Sequence, residues 1–108
     1  MSKRYTVIIV PAEDGWVSAM VPSMPGCVSQ GRSRDEALAH VREAIEAWVE
    51  VEAEHGRTPL AETADLVLEA VGAAMHIIDD MRLAGELPGA PGYDLELATV
   101  ELEQPIAV

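Results

Sequence analysis

Two short apolar runs near the N-terminus constrain the fold of this chain most strongly. The first run is YTVIIVP at residues 5–11 and the second is GWVSAMV at residues 15–21, and both contain β-branched side chains. The sequence AEDG at residues 12–15 separates their apolar parts and ends on Asp-Gly, a dipeptide that favours a tight turn. The pattern predicts the two strands and the turn of a β-hairpin.

A corner rich in proline and glycine follows the hairpin. Residues 21–33 read VPSMPGCVSQGRS, and the part CVSQG at residues 27–31 has the length of a further strand. We therefore expect three antiparallel strands in a meander. Cys27 is the only cysteine of the chain, and no histidine lies near it in the sequence. It is interpreted as a buried packing residue rather than a nucleophile.

A helix is predicted to begin directly after the third strand. Ser33 stands three residues before Glu36, which is the spacing of a capping box. Apolar residues then recur at spacings of three and four up to Val49, and Gly56 is suited to end the helix. The glutamates on the other faces are Glu43, Glu46, Glu50 and Glu54. One face of this helix should pack on the sheet, and the opposite face should be acidic.

A second, longer helix is expected over residues 58–85, because Thr58 and Pro59 can begin a helix and Gly85 can end it. Its apolar positions alternate spacings of four and three, which is typical of a helix-packing seam. A helix this apolar needs more than one packing partner, so the sequence predicts a homodimer or a higher oligomer. The candidate interface residues are Leu60, Val67, Val71, Ile78 and Met81.

The last part of the chain is predicted to form a closing strand over residues 93–104. Tyr93, Leu95 and Leu97 alternate in one phase, whereas Val100 and Leu102 alternate in the other. We expect a bulge near residues 98–99 to absorb this change. The whole pattern predicts one α+β domain over residues 1–108: a three-stranded antiparallel meander, a helix packed on the sheet, an extra long helix and a closing strand.

The charge of the chain restricts its partners. Among 108 residues, 7 are Lys or Arg and 19 are Asp or Glu, which gives a formal net charge of −12. This balance argues against binding of nucleic acid by this chain alone and favours a basic protein as partner. No apolar run has the length of a membrane-spanning helix, and the N-terminus lacks a secretory signal. We therefore expect a cytoplasmic protein that does not enter a membrane.

The sequence offers little to support catalysis. His76 is followed by Asp79 and Asp80, which could place metal ligands on one helix face, but a solvated acidic stripe explains the same pattern. No dense ligand motif and no phosphate-binding loop is present. We predict no catalytic residue, no metal and no cofactor, and hence a protein that is not an enzyme.

The hairpin turn supplies the candidate partner-binding residues. Glu13 and Asp14 lie in the turn, where Asp-Gly is expected on conformational grounds alone, and Trp16 follows directly. Tryptophan is more typical of protein cores and interfaces than of nucleic-acid stacking in so acidic a chain. Glu13, Asp14 and Trp16 are therefore predicted to contact a protein partner.

Taken together, residues 5–56 resemble the HicB family of antitoxins. The resemblance lies in the aromatic-led first strand, the EDGW turn, the VPSMPGCVSQG corner and the helix that begins SRDEAL and continues AIEAW. It implies a β-β-β-α-β fold related to a truncated RNase H, without nuclease activity.

The resemblance also implies a partner. Members of the family bind and block HicA, a small basic toxin that cleaves messenger RNA, and many carry a further domain that binds promoter DNA. After Gly56 the sequence shows no such DNA-binding module. Two hypotheses remain: an antitoxin that neutralises a HicA-like toxin, or a solitary HicB-like oligomeric domain with a structural or regulatory role and no toxin.

Overall fold

The fold is a four-stranded antiparallel sheet between two helices, seen in a computed structural model that describes residues 2–85 and 95–103. The elements are β1 (Ser2–Pro11), a 3-10 turn (Glu13–Gly15), β2 (Val17–Met20), β3 (Val28–Gly31), α1 (Arg34–Glu54), α2 (Ala64–Leu83) and β4 (Glu96–Glu103). The strand order is β3-β2-β1-β4, with every neighbouring pair antiparallel. The predicted α+β class, the three-stranded meander and the helix packed on the sheet are confirmed.

Strand β1 lies in the middle of the molecule and is buried on both faces. Successive side chains of a strand point to opposite faces, so the run of four aliphatic residues from Val7 to Val10 serves two cores. Val7 and Ile9 pack with Val41 and Ile45 of α1. On the other face, Ile8 and Val10 form a smaller cluster with residues of α2. The apolar run is continuous because each face is covered by a helix.

Both ends of α1 carry the predicted caps. The Ser33 hydroxyl oxygen accepts a hydrogen bond from the Glu36 backbone N–H at 3.1 Å. The Glu36 carboxylate reaches back to the backbone N–H of Arg32 at 3.2 Å, one residue before the cap, so the box closes over a slightly longer span than predicted. At the other end Gly56 has φ 72°, and the N–H groups of Gly56 and Arg57 donate to carbonyls of the last turn.

Helix α2 begins later than predicted. Thr63, not Thr58, is its N-cap, and the Thr63 hydroxyl oxygen accepts from the Leu66 backbone N–H at 3.1 Å. The residues before Thr63 form a loop that crosses to the corner between β2 and β3. There the Leu60 backbone N–H donates to the Ser23 carbonyl at 2.7 Å. This tertiary hydrogen bond holds the segment outside the helix, although Pro59 alone would permit a helix start.

The predicted bulge in the closing strand is wrong. β4 pairs with β1 in unbroken register from Ser2↔Glu103 to Ile9↔Glu96. The change of phase arises because the two ends of β4 bury opposite faces. Leu95, just before the strand, packs with the α2 cluster, whereas Val100 and Leu102 pack with the α1 cluster. The predicted strand ends at residues 93–94 and 104 lie outside the described residues.

The corner between β2 and β3 is structural, as predicted. The Val21 backbone N–H donates to the Cys27 carbonyl at 3.1 Å, and the Trp48 indole N–H donates to the Pro25 carbonyl at 3.1 Å. Met24 and Cys27 are buried in the α1 core. Burial raises the pKa of the Cys27 thiol, which favours the protonated and unreactive form.

The close packing around Gly31 predicts that a side chain at this position lowers the stability of the fold. A Cβ at this position would lie 2.5 Å from the Ala37 backbone nitrogen and 2.8 Å from the Glu36 carbonyl carbon, at the start of α1. We expect Gly31→Ala to lower the free energy of unfolding by about 1–3 kcal/mol, because backbone must move to admit the methyl group. Urea unfolding followed by circular dichroism measures this.

Gly72 supplies the matched control. It lies exposed within α2, and a Cβ there would meet nothing within 4 Å. Gly72→Ala should raise stability by about 0.5–1 kcal/mol, since alanine loses less backbone entropy in a helix. Equal effects of the two substitutions would contradict the close approach of α1 to β3.

The contact between Arg34 and Glu96 predicts a dependence of stability on pH. Arg34 Nε lies 2.8 Å from Glu96 Oε1 and 2.6 Å from Oε2, which joins α1 to β4. This hydrogen bond lowers the pKa of the Glu96 carboxyl. A carboxylate with a lowered folded-state pKa stabilises the fold above its unfolded pKa of about 4.3, and this contribution is lost as the pH falls through the folded value.

The wild-type protein should therefore lose more stability than Glu96→Gln between about pH 6 and about pH 3 in urea titrations. The control is Glu46→Gln, which removes an exposed carboxylate of α1 and should keep the wild-type pH slope. If Glu96→Gln and Glu46→Gln follow the same pH profile, the ion pair does not contribute in solution.

Candidate functional site

A cleft of about 490 Å³ lies between α2 and strands β2 and β3. Its floor includes Met20 and Gln30, its wall includes Ile77 and Met81 of α2, and its end is formed by residues of the hairpin turn, among them Asp14 and Trp16. The concave shape and largely apolar lining are typical of a binding site on a protein surface.

The cleft exists because α2 is narrower than the sheet. A helix is about 10 Å wide, whereas neighbouring strands lie about 4.8 Å apart, so one helix covers about two of the four strands. Ala74 and Ile78 lie over β1. Met20 pairs with Ile8, and Val28 pairs with Met20, so their side chains share the α2 face of the sheet. This part of the face lies beside α2 rather than beneath it, and Val28 remains 53% exposed.

The structure brings two predicted partner-binding residues to the end of this cleft. Asp14 is exposed and has φ 58°, a left-handed conformation that aspartate tolerates better than most residues. Trp16 is half-buried, and the Arg32 guanidinium lies 4.3 Å from the centre of its ring, in a cation–π contact. Glu13 belongs to the same turn. The assignment of these three residues to a partner stays a prediction.

The predicted oligomer interface has a different role in the structure. Ile78 is completely buried against β1, and Val71 packs on the same cluster, so the heptad seam attaches α2 to its own sheet. Val67 is half-buried, and Met81 lines the cleft. Leu60 lies in the loop before α2 and is exposed. Ile78 is therefore not available to a second copy, while self-association itself stays a prediction.

Sequence reasoning missed Ile77 and Met20 as surface residues of the site. Ile77 follows the buried seam residue Ala74 by three positions and was visible only as an apolar neighbour of that seam. Met20 lies in β2, a mostly apolar strand whose sequence does not indicate which side chains stay at the surface. Their position at one cleft depends on the placement of α2 over β1, which no local pattern specifies.

The histidines take part in local structure. His40 Nδ1 lies 2.6 Å from the Gln30 backbone oxygen, and His55 Nδ1 lies 2.9 Å from the Val51 backbone oxygen. His76 is exposed on α2. Within residues 2–85 and 95–103, no group of three or more His, Cys, Asp and Glu residues is arranged to hold a metal ion. No helix in the same ranges is long and apolar enough to cross a membrane.

The outer face of α1 is acidic, as predicted. Glu43, Glu46, Glu50 and Glu54 are exposed, and none of them forms an ion pair with another described residue. Several arginines, in contrast, contact their own chain: Arg34 binds Glu96, Arg57 binds Glu52, and Arg42 donates to the Glu101 carbonyl oxygen at 2.5 Å. Much of the positive charge of the chain is therefore engaged internally.

Comparisons with known proteins agree with this architecture. The N-terminal domain of the Burkholderia pseudomallei antitoxin HicB has a similar structure, with a TM-score of 0.53 and 21% sequence identity over 93% of this chain and 100% of that domain. A UPF0150 protein of Thermoplasma acidophilum is 49% identical over 47 residues, which are 44% of this chain and 68% of that protein. A UPF0150 protein of Archaeoglobus fulgidus is 44% identical over 48 residues, 44% of this chain and 70% of that protein.

The sequence profile of a family extends the match further along the chain. It describes a HicB-like antitoxin of a bacterial toxin–antitoxin system and matches residues 5–79, which include most of β1, all of β2, β3 and α1, and most of α2. The match thus covers more than half of the chain and continues beyond the segment that first suggested it. The chain belongs to the HicB-like antitoxin family.

Proposed function

We propose that this protein is a non-catalytic antitoxin that binds and neutralises a small, basic, mRNA-cleaving toxin of the HicA type in the cytoplasm. Membership of the HicB-like antitoxin family supports a toxin as partner. The observation that carries the basic character of that partner is the exposed acidic face of α1 within a chain of net charge −12.

A toxin that cleaves RNA offers a complementary surface to an acidic antitoxin. Such an enzyme needs positive charge to hold the phosphate backbone, and an acidic protein is attracted to the same surface. The glutamates of α1 keep their charge available, because no described residue neutralises them. Covering the RNA-binding surface is sufficient for neutralisation, so the proposal requires binding and no chemical step.

A second candidate function is a solitary HicB-like oligomeric domain with a structural or regulatory role. The observation that favours it is the exposure of large aliphatic side chains on α2, where Leu68 is 67% and Leu83 is 88% exposed. Aliphatic side chains of this size are often covered in an assembly. In this case sedimentation at tens of micromolar would show a homodimer or a higher oligomer, and no toxin would be bound.

The antitoxin function predicts rescue and a stable complex. We expect a small basic protein to be encoded beside this gene, its toxicity to be relieved by co-expression, and the two proteins to elute together in gel filtration. The affinity should fall steeply as the salt concentration rises from about 0.05 M to about 0.5 M, because opposite charges are screened.

Variants of α1 test the contribution of its charge, and a variant of α2 that keeps the charge is the control. Changing Glu43, Glu46 and Glu50 together to glutamine should slow association and reduce the salt dependence, since all three are exposed and the substitution keeps their size. Changing Leu68 to Gln should leave both quantities as in the wild type. Toxicity that persists, together with separate elution of the two proteins, would overturn the antitoxin function.

A further inference from the structure

The cleft between α2 and strands β2 and β3 combines apolar side chains with nearby carboxylates, and this combination restricts the partner more than the overall charge of the chain does. We propose that it is the docking site for an amphipathic basic segment of the partner protein, with aliphatic side chains on the cleft floor and lysine or arginine at its rim. This inference rests on the antitoxin function proposed above and adds where the toxin is held and by which contacts.

Apolar side chains line the cleft on several sides. Trp16 closes one end, Met20 forms part of the floor, and Ile77 projects from the wall with 53% of its surface exposed. Val28 continues the same face of the sheet toward the edge strand. A single exposed aliphatic residue is ordinary, but several around one concavity form an anchor site for a partner's apolar side chain.

One carboxylate lines this cleft, and a second lies one helical turn from the cleft wall; together they are called the rim carboxylates. Asp14 lines the end of the cleft, and Asp80 lies three residues after Ile77, which places it beside Ile77 on the surface of α2. Both are exposed, and neither forms an ion pair with another described residue. A lysine or arginine can lay its aliphatic stem on the apolar floor while its charged end meets these carboxylates.

Arg32, the cation at the Trp16 end of the cleft, forms no ion pair with Asp14. The Arg32 guanidinium lies over the Trp16 ring, which holds the indole at the end of the cleft. Trp16 is thus ordered before a partner arrives, and this lowers the entropic cost of binding at that position.

Charge decides between a basic partner and a second copy of this chain. A second copy would bring a further net charge of −12, and in a two-fold symmetric contact also its own Asp14 and Asp80, to the same cleft. Like charges placed opposite each other at an interface oppose association, whereas the basic surface of a toxin complements them. The same apolar cleft with this acidic rim therefore fits a basic protein better than a copy of itself.

The apolar part of the proposal is tested with Ile77→Gln and Leu68→Gln in the full chain. Both residues are exposed aliphatics of α2, but Leu68 does not line the cleft. The probe is the basic toxin recovered from the co-expressed complex in denaturant and refolded, and calorimetry measures its Kd. We expect Ile77→Gln to weaken binding about tenfold or more, as at interface anchors, and Leu68→Gln to change it less than about twofold.

The rim is tested with two double variants that have the same net charge as each other. The double variant Asp14→Asn with Asp80→Asn removes two negative charges beside the cleft, and asparagine tolerates the left-handed backbone at position 14. The double variant Glu43→Gln with Glu46→Gln removes two charges from the outer face of α1. We expect the rim variant to raise the dissociation rate about fivefold more than the α1 variant, because only the rim carboxylates touch the bound segment.

The outcomes separate this inference from the function on which it rests. If the wild type binds the toxin but the Ile77 and rim variants bind as tightly as their controls, the toxin docks elsewhere and only the cleft proposal fails. If Ile77→Gln dissociates a wild-type oligomer without changing toxin affinity, the cleft joins copies of this chain and the proposal is wrong. If the wild type forms no complex, the function and the docking site are both overturned.

Discussion

The burial of β1 on both faces is the constraint on which the rest of the structure depends. A strand that carries Val7, Ile8, Ile9 and Val10 in succession cannot expose either face to water without a large loss of hydrophobic stabilisation. α1 covers one face and α2 covers the other. The sheet order follows from the same requirement, because β2 and β4 shield the two edges of the strand that is most apolar. A strand in this position explains why the chain needs the second helix at all.

The two helices cover their faces unequally, and the functional surface arises from that difference. α1 packs with residues of all four strands or the corners next to them, including Tyr5, Ala19, Met24 and Val100. Among residues 2–85 and 95–103, the buried members of the α2 cluster are Ile8, Val10, Ala74 and Ile78. Helix α1 thus covers its face of the sheet broadly, whereas α2 covers its face mainly along β1. The remaining surface over β2 and β3 becomes the cleft.

Local patterns predicted the elements that depend on neighbouring residues. The hairpin, the cap at Ser33 and the end of α1 at Gly56 all follow from contacts within a few residues, and the structure has each of them. The start of α2 could not be predicted in this way. Thr58 and Thr63 are both acceptable caps, and the choice between them depends on the hydrogen bond from Leu60 to Ser23, which joins parts of the chain far apart in sequence. The predicted bulge in β4 was wrong for a similar reason. The two ends of the strand bury different faces, and this depends on helices that are far away in the sequence.

The candidate site also combines residues that local patterns predict with residues that only the tertiary fold brings together. Asp14 and Trp16 were identifiable from their place in the hairpin turn, whereas Ile77 and Met20 join them only through the placement of α2 over β1.

The acidic face of α1 and the cleft lie on opposite sides of the sheet, so their charges act on a partner at different distances. Electrostatic interactions in water decay over about 8 Å at physiological salt, which is less than the separation of two layers packed about 10 Å apart. The glutamates of α1 therefore attract a basic protein that approaches on their own side of the sheet and act only weakly on a segment bound in the cleft. The charges that decide where it comes to rest are those within reach of the bound side chains, namely Asp14 and Asp80.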